Sequence, residues 1–147
     1  MSTLSICKFR GILSAIILAV APLSVASHAE TLGPTVSVNV PFAFENGSQH
    51  FAAGLYTISM ESHNVLMIQG KSGSGFALSW FDEDMHPSQA TKVVFVRYGS
   101  QYFLDQVWVT GETSHTYLLR SKAETLHIAA NKAAPTSVTI AALGTPR

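Results

Sequence analysis

The sequence predicts an all-β fold, a single small barrel or sandwich of about eight or nine short antiparallel strands with one short helix near the C-terminus. Three observations lead to this prediction. Apolar and polar residues alternate with a period of two over much of the chain after residue 30, turn signals separate these runs, and only one segment carries a helix-start signal. A chain of this length forms one domain, because two halves would each bury too little surface.

The first 29 residues have the features of a cleaved export signal. Lys8 and Arg10 give a positive start, residues 11–21 are an apolar stretch, and small residues follow at the positions that a signal peptidase inspects. We expect residues 1–29 to be a signal peptide and residues 30–147 to be a single β domain, periplasmic or secreted. An uncleaved anchor is the alternative, but spanning a bilayer takes about 20 apolar residues.

Cleavage would remove the only cysteine, Cys7, and two of the nine basic residues. Seven Lys and Arg then remain against nine Asp and Glu, without a basic run. This balance predicts neither a nucleic-acid partner nor an anionic membrane surface. The mature domain would have no disulfide and no thiol, so packing alone must stabilise it. We expect no transmembrane segment after cleavage.

The first predicted strand is residues 36–44, where every even position is large and apolar. Pro41 lacks an N–H, which places it at an edge or a bulge. The Asn-Gly pair that follows predicts a hairpin turn. Closure over these two residues would pair Glu45 with Ser48 and Phe42 with Phe51. The Asn-Gly-Ser sequence also fits a glycosylation acceptor, but the turn explains it without a modification.

Three short strands are predicted next, over residues 55–60, 65–69 and 76–81. The glycine-rich segment 70–75 between the last two is predicted to be a flexible connection. It is not predicted to be a phosphate-binding loop, because no strand-loop-helix context surrounds it and no helix-initiating Lys-Ser/Thr pair follows its last glycine. A polar loop is predicted over residues 82–89.

The best-defined hairpin joins residues 91–98 to residues 101–110. Gly99-Ser100 suits a type II′ turn, which needs Gly at its first central position. Both faces of the hairpin are largely apolar, so we expect a central position, covered on each side. Two-residue closure predicts three pairs: Tyr98 with Gln101, Arg97 with Tyr102 and Val94 with Asp105.

The C-terminal part contains the one helix signal. After a strand over residues 114–119, residues 121–124 have the S-x-x-E spacing of a capping box. We expect a helix over residues 122–131, with a short strand as the alternative. Pro135 ends that segment, and residues 138–142 supply the last strand.

Two segments resemble a family of small, uncharacterised exported bacterial β proteins. The first has V-P-F-A-F at residues 40–44 and A-G-L-Y at residues 53–56, with Ala52 where the family tends to have proline. The second has R-Y-G-S-Q-Y-F-L at residues 97–104, continuing to Trp108, with S-K-A-E downstream. The resemblance implies an exported bacterial β domain. It transfers no catalytic residue, because the family has no established activity.

Candidate chemistry is sparse. The acidic loop Asp82-Glu83-Asp84 with His86 could hold a cation, but a solvated loop tip is the favoured interpretation. None of the histidines after residue 30 forms a zinc-type spacing, and the chain has no G-x-S-x-G elbow. We expect no catalytic residue, no metal and no cofactor.

Five residues are candidates for a ligand pocket, namely Trp80, Arg97, Tyr102, Asp105 and Trp108. Alternation places Asp105 on an apolar face, where an unpaired carboxylate is costly. The favoured interpretation is structural: Asp105 caps a backbone group or pairs with a basic residue, and Arg97 stacks on Tyr102. The functional alternative places Asp105 or Arg97 in a ligand cavity.

The aromatic residues have two interpretations as well. Tyr102 and Trp108 share a face with Leu104, and Trp80 forms a comparable stripe with Phe76. Core packing is favoured, although the interior of a barrel of about eight strands can hold one small ligand.

The sequence therefore predicts a non-enzymatic exported β domain with a structural or protein-interaction role in the bacterial envelope. The alternative is a lipocalin-like module that binds a small apolar ligand. A hydrolase with a site assembled from distant residues is less favoured. The expected partner is an envelope protein or a small apolar ligand.

Overall fold

The computed structural model describes residues 33–131 and 134–143, which form ten strands and one helix. The all-β prediction is confirmed, whereas the predicted signal peptide lies outside the described residues. The elements are β1 (Val36–Val40), β2 (Phe44–Asn46), β3 (Gln49–Phe51), β4 (Gly54–Ser62), β5 (Val65–Gly70), β6 (Gly73–Glu83), β7 (Lys92–Tyr98), β8 (Gln101–Trp108), β9 (Ser114–Leu118), α1 (Lys122–Asn131) and β10 (Thr136–Ala141).

The strands form one sheet in the order β1-β4-β5-β6-β9-β8-β2-β3, while β7 pairs with both β8 and β10. All pairs are antiparallel except β2 with β8, which meet in parallel at Glu45 and Phe103. The Leu143 N–H donates to the Ser37 carbonyl oxygen at 2.7 Å. This bridge links β1 to the residues after β10, so the sheet curls around its core.

Pro41 divides the first predicted strand into two. β1 ends one residue before Pro41 and pairs with β4, whereas β2 begins three residues after it and pairs with β3 and β8. A residue without an N–H cannot continue the ladder as a donor, so the chain leaves one part of the sheet there and enters another. The split raises the number of strands to ten.

An aromatic cluster fills the core. Phe44 is 2% exposed, and its ring lies 5.0 Å from that of Phe51, 5.1 Å from that of Tyr56 and 5.2 Å from that of Phe95. The Tyr56 hydroxyl donates to the Ala52 carbonyl oxygen at 2.5 Å. The core continues with alternating residues of β1, β4 and β5, as the period-two pattern predicts, and with apolar residues of β6, β7, β8 and β9.

The β2–β3 hairpin has a different register from the predicted one. Phe44, not Phe42, lies opposite Phe51, and Asn46 lies opposite Gln49. Asn46 is the last residue of β2, and its side-chain amide donates to the Phe76 carbonyl oxygen at 3.1 Å. The turn therefore moves one residue along the chain.

The glycine-rich segment is a tight hairpin and not the predicted flexible connection. Gly70 pairs with Gly73, and the β5–β6 ladder continues from there. A Cβ on Gly70 would collide with the Tyr56 ring, and a Cβ on Gly75 would collide with the Gln49 side chain. These two glycines serve close packing, which a search for loop signals does not detect.

The β7–β8 hairpin confirms two of the three predicted pairs. Tyr98 faces Gln101 and Arg97 faces Tyr102, but the pairing of Val94 with Asp105 is wrong. Val94 faces Gln106 and Phe95 faces Leu104, so Asp105 is the extra residue of a β-bulge. Beyond the bulge the alternation is inverted: Val107 joins the core and Trp108 does not.

Helix α1 has the predicted bounds, and the Glu124 N–H donates to the Ser121 hydroxyl oxygen at 3.0 Å. The helix covers the outer side of the β7–β8 hairpin. There Tyr98 and Phe103 are 3% and 2% exposed, and the His127 ring lies 5.8 Å from that of Phe103. This contact confirms that apolar residues on both faces of the hairpin are covered.

Candidate binding surface

The outer face of β6 carries three large, exposed apolar side chains. Phe76, Leu78 and Trp80 are 64%, 63% and 61% exposed. We define the outer patch as these residues with their cross-strand neighbours on β5, on β9 and directly after β9: Val65, Met67, Phe76, Leu78, Trp80, Tyr117 and Leu119. The favoured prediction that Phe76 and Trp80 form a core stripe is wrong.

Small residues explain why β6 points its large side chains outward. Ala77 and Ser79 are buried, and Gly75 packs against Phe51 and Gln49. At Gly75, the Phe51 ring and the Gln49 side chain already occupy the space that a larger core-facing side chain would need. Alternation identified the two faces of β6 correctly, but the larger residues lie on the face away from the core.

A second aromatic group lies beside the outer patch. The Trp108 ring stacks on that of His115, while Tyr117 lies tilted against His115 with centroids 4.6 Å apart. The Lys92 ammonium lies 4.6 Å from the Trp108 ring centroid, and the Trp108 indole N–H donates to Gln106 Oε1 at 2.8 Å. Trp108 is therefore held on both its ring and its polar edge.

A groove of about 480 Å³ opens where β6, β8 and the residues after β9 approach the start of α1. We call it the acidic groove. Trp80, Tyr117 and Leu119 line it and also belong to the outer patch. The remaining lining side chains include Asp105, Arg120 and Glu124, with two further leucines. The groove thus combines aromatic rings with two carboxylates and one guanidinium.

The two carboxylates of the groove differ in their partners. Burial raises the pKa of Asp105, against the opposing effects of a hydrogen bond with Gln106 and the charge of Arg120. Burial also raises the pKa of Glu124, which the charge of Arg120 opposes. Glu124 Oε1 lies 3.4 Å from Arg120 Nε. Within the described residues, Asp105 has no such ion pair.

The structure brings together two of the five predicted pocket residues. Trp80 and Asp105 line the acidic groove, whereas Trp108 lies in its stack with His115. Arg97 and Tyr102 lie elsewhere, near the stacked ring of Phe42. The Arg97 guanidinium is 6.0 Å from the Tyr102 ring centroid, at the outer limit of a cation–π contact, and the ring stacked on Tyr102 is that of Phe42.

The sequence did not point to the other aromatic and charged residues of the groove, Tyr117, Arg120 and Glu124. The alternating pattern of β9 could have identified Tyr117, because every second residue of a strand lies on the same face of the sheet. The S-x-x-E spacing indicates only a helix-capping role for Glu124, and no sequence motif includes Arg120. The β-bulge leaves Asp105 without a cross-strand partner on β7, which alternation alone does not predict.

The cavity at one end of the core has a volume of about 160 Å³. Ile58, Met60 and Val107 are among its lining residues, and neither tryptophan lines it. Small-molecule sites usually measure about 300–1,000 Å³, so this cavity gives little support to lipocalin-like carriage.

Metal ligands do not converge in the part of the chain that the structure describes: no group of three or more His, Cys, Asp or Glu side chains is placed to hold an ion. Asp84 and His86 are exposed in the loop after β6.

Across residues 33–131 and 134–143, which the structure describes, no helix has the length and apolar character needed to cross a membrane. Comparison with known protein families, curated proteins and solved structures finds no match.

Proposed function

We propose that this protein is a non-enzymatic, exported β domain that binds another protein of the bacterial envelope through the outer patch. The observation that carries the proposal is the exposure of Phe76, Leu78 and Trp80 on one strand face. Contiguous exposed apolar patches on a folded domain mark interaction surfaces, because leaving them in water is unfavourable.

The patch is continuous across three neighbouring chain segments. Met67 lies opposite Phe76, Val65 opposite Leu78, and Tyr117 opposite Trp80. Side chains directly opposite each other on one face are close enough to form a single surface. A partner that covers this face would bury aromatic and aliphatic side chains together, as the centres of protein interfaces do.

The proposed location rests on the sequence of residues 1–29. Export would deliver the domain to the periplasm or the medium with Glu30 as its first residue. Intact-mass measurement of the exported protein tests this step. A mass that includes residues 1–29 would contradict the proposed cleavage.

A double variant tests the proposed surface. In Leu78→Ser/Trp80→Ser, both changed side chains are more than half exposed, so we expect thermal unfolding close to that of the wild type. Size-exclusion chromatography of envelope extracts should show the wild type in a complex larger than the monomer and the variant as a monomer.

The matched control is Leu55→Ser/Met85→Ser, which removes two exposed apolar side chains outside the outer patch. We expect this control to elute with the wild type. A wild type that elutes as a monomer, or a loss of the complex in both double variants, would contradict the proposal.

A further inference from the structure

We propose that the acidic groove receives a basic side chain of the polypeptide that docks on the outer patch. This inference rests on the proposed function and specifies the chemistry of the partner. It commits to a polypeptide and not a free amine, because the groove and the patch share Trp80, Tyr117 and Leu119. A segment lying on the patch would therefore pass over the groove.

The charges of the groove favour a cation. Two carboxylates, those of Asp105 and Glu124, share the groove with the single guanidinium of Arg120. Arg120 is paired with Glu124, and its side chain is 62% exposed. Among the described residues Asp105 has no ion pair of its own. A further positive charge would complement the negative charge that remains.

Burial makes this complementarity stronger. It raises the pKa of both Asp105 and Glu124, because the loss of water around each carboxylate outweighs the opposing charge of Arg120. A neighbouring cation stabilises the ionised forms of such carboxyl groups and is less screened than at an open surface.

The aromatic walls suit the same occupant. An ammonium or guanidinium group over the face of Trp or Tyr is attracted by the ring. Trp80 and Tyr117 supply two such rings in the groove. The apolar stem of a lysine or arginine side chain would contact the leucines while its charged end meets the carboxylates. A volume of about 480 Å³ is sufficient for one long side chain with its neighbours.

The test uses the folded chain with synthetic peptides as probes. Acetyl-Gly-Leu-Lys-Leu-Gly-amide is compared with peptides in which norleucine or glutamate replaces the lysine. The protein has two tryptophans, so its proton–nitrogen NMR spectrum contains two indole N–H signals. The signal that disappears in Trp80→Phe is that of Trp80. The signal of Trp80 reports on the groove, and that of Trp108, bonded to Gln106, is the internal reference.

We expect the lysine peptide to shift the Trp80 signal saturably and to bind about fivefold more tightly than the norleucine peptide. The glutamate peptide should bind most weakly. Asp105→Asn should abolish most of the preference for lysine, whereas Asp84→Asn, an exposed acidic residue of the loop after β6, should leave it unchanged.

Three results would overturn the inference. Equal binding of the lysine and norleucine peptides would show a patch that takes apolar segments without regard to charge, and the proposed function would stand. The same conclusion would follow if Asp105→Asn kept the full preference. Absence of any shift at Trp80 would also overturn the inference, and the complex in envelope extracts would then decide the proposed function separately.

Discussion

The rings of Trp108 and His115 lie face to face, with centroids 3.8 Å apart and planes within 5° of parallel. His115 is 6% exposed, and neither of its ring nitrogens has a hydrogen-bond partner within the described residues. Burying a polar group without such a partner opposes folding. The contacts of this ring are therefore those of its flat surface, the stack on Trp108 and the tilted contact with Tyr117.

This relationship predicts the effect of His115→Phe. Phenylalanine keeps a flat ring against Trp108 and removes the two unpaired nitrogens. We expect the free energy of unfolding to rise by about 1 kcal/mol, measured by urea denaturation at neutral pH. His115→Ala, which removes the ring, should lower it. A loss of more than about 1 kcal/mol in the phenylalanine variant would show that the nitrogens have a stabilising partner.

Gly70 and Gly54 form a matched pair beside one ring. A Cβ on Gly70 would collide with the Tyr56 ring, whereas a Cβ on Gly54 would lie 4.0 Å from Tyr56 Cε2. Because Tyr56 is 1% exposed and cannot move freely, Gly70→Ala should destabilise the fold by about 1–3 kcal/mol. Gly54→Ala should change stability by less than about 1 kcal/mol. Equal effects in chemical denaturation would contradict this packing.

The helix cap predicts a third effect. Ser121 Oγ accepts the Glu124 N–H bond at 3.0 Å, so Ser121→Ala leaves a donor of the first turn without its partner. We expect a loss of about 1 kcal/mol in unfolding free energy. Ser121→Asp, which also caps well, is the control and should retain most of the stability. An alanine variant as stable as the aspartate variant would show that the cap contributes nothing.

The pH dependence of stability follows from Asp105 and Glu124. Burial raises the pKa of both carboxyl groups in the folded state, whereas in the unfolded chain they titrate at about pH 4. At pH values between the unfolded and the folded pKa, the folded protein therefore binds more protons than the unfolded chain. Their contribution to the free energy of unfolding therefore falls as pH rises through that interval and remains lower at neutral pH.

Asp105→Asn removes one of these groups. We expect the variant to gain about 0.5 kcal/mol relative to the wild type at pH 7 and almost nothing at pH 3, where both forms are uncharged. Asp84→Asn, which changes an exposed carboxylate, is the control. A gain of the same size at both pH values would mean that the charge of Asp105 is not what opposes folding.

The sequence predicted the features that depend on local patterns. Alternation identified most strands, and the S-x-x-E spacing identified α1 and its cap. The bulge at Asp105 and the hairpin at Gly70 were not predicted, because each depends on packing between residues distant in the sequence. The outer patch was missed for the same reason: alternation separates the two faces of β6 without showing which one faces Phe51.

The acidic groove was predicted only in part. Trp80 and Asp105 were proposed as pocket residues from their chemistry. Their partners Tyr117 and Glu124 come from β9 and α1, and only the three-dimensional arrangement of these elements brings them together.

Photo-crosslinking in the envelope tests the binding role of the outer patch most directly. A benzoylphenylalanine residue placed at Leu78, which is 63% exposed, should give one discrete product with another protein after irradiation. The same probe at Thr139, exposed on β10, should give none. A product at both positions, a product with the mass of two copies of this chain, or no product at Leu78 would contradict the proposal.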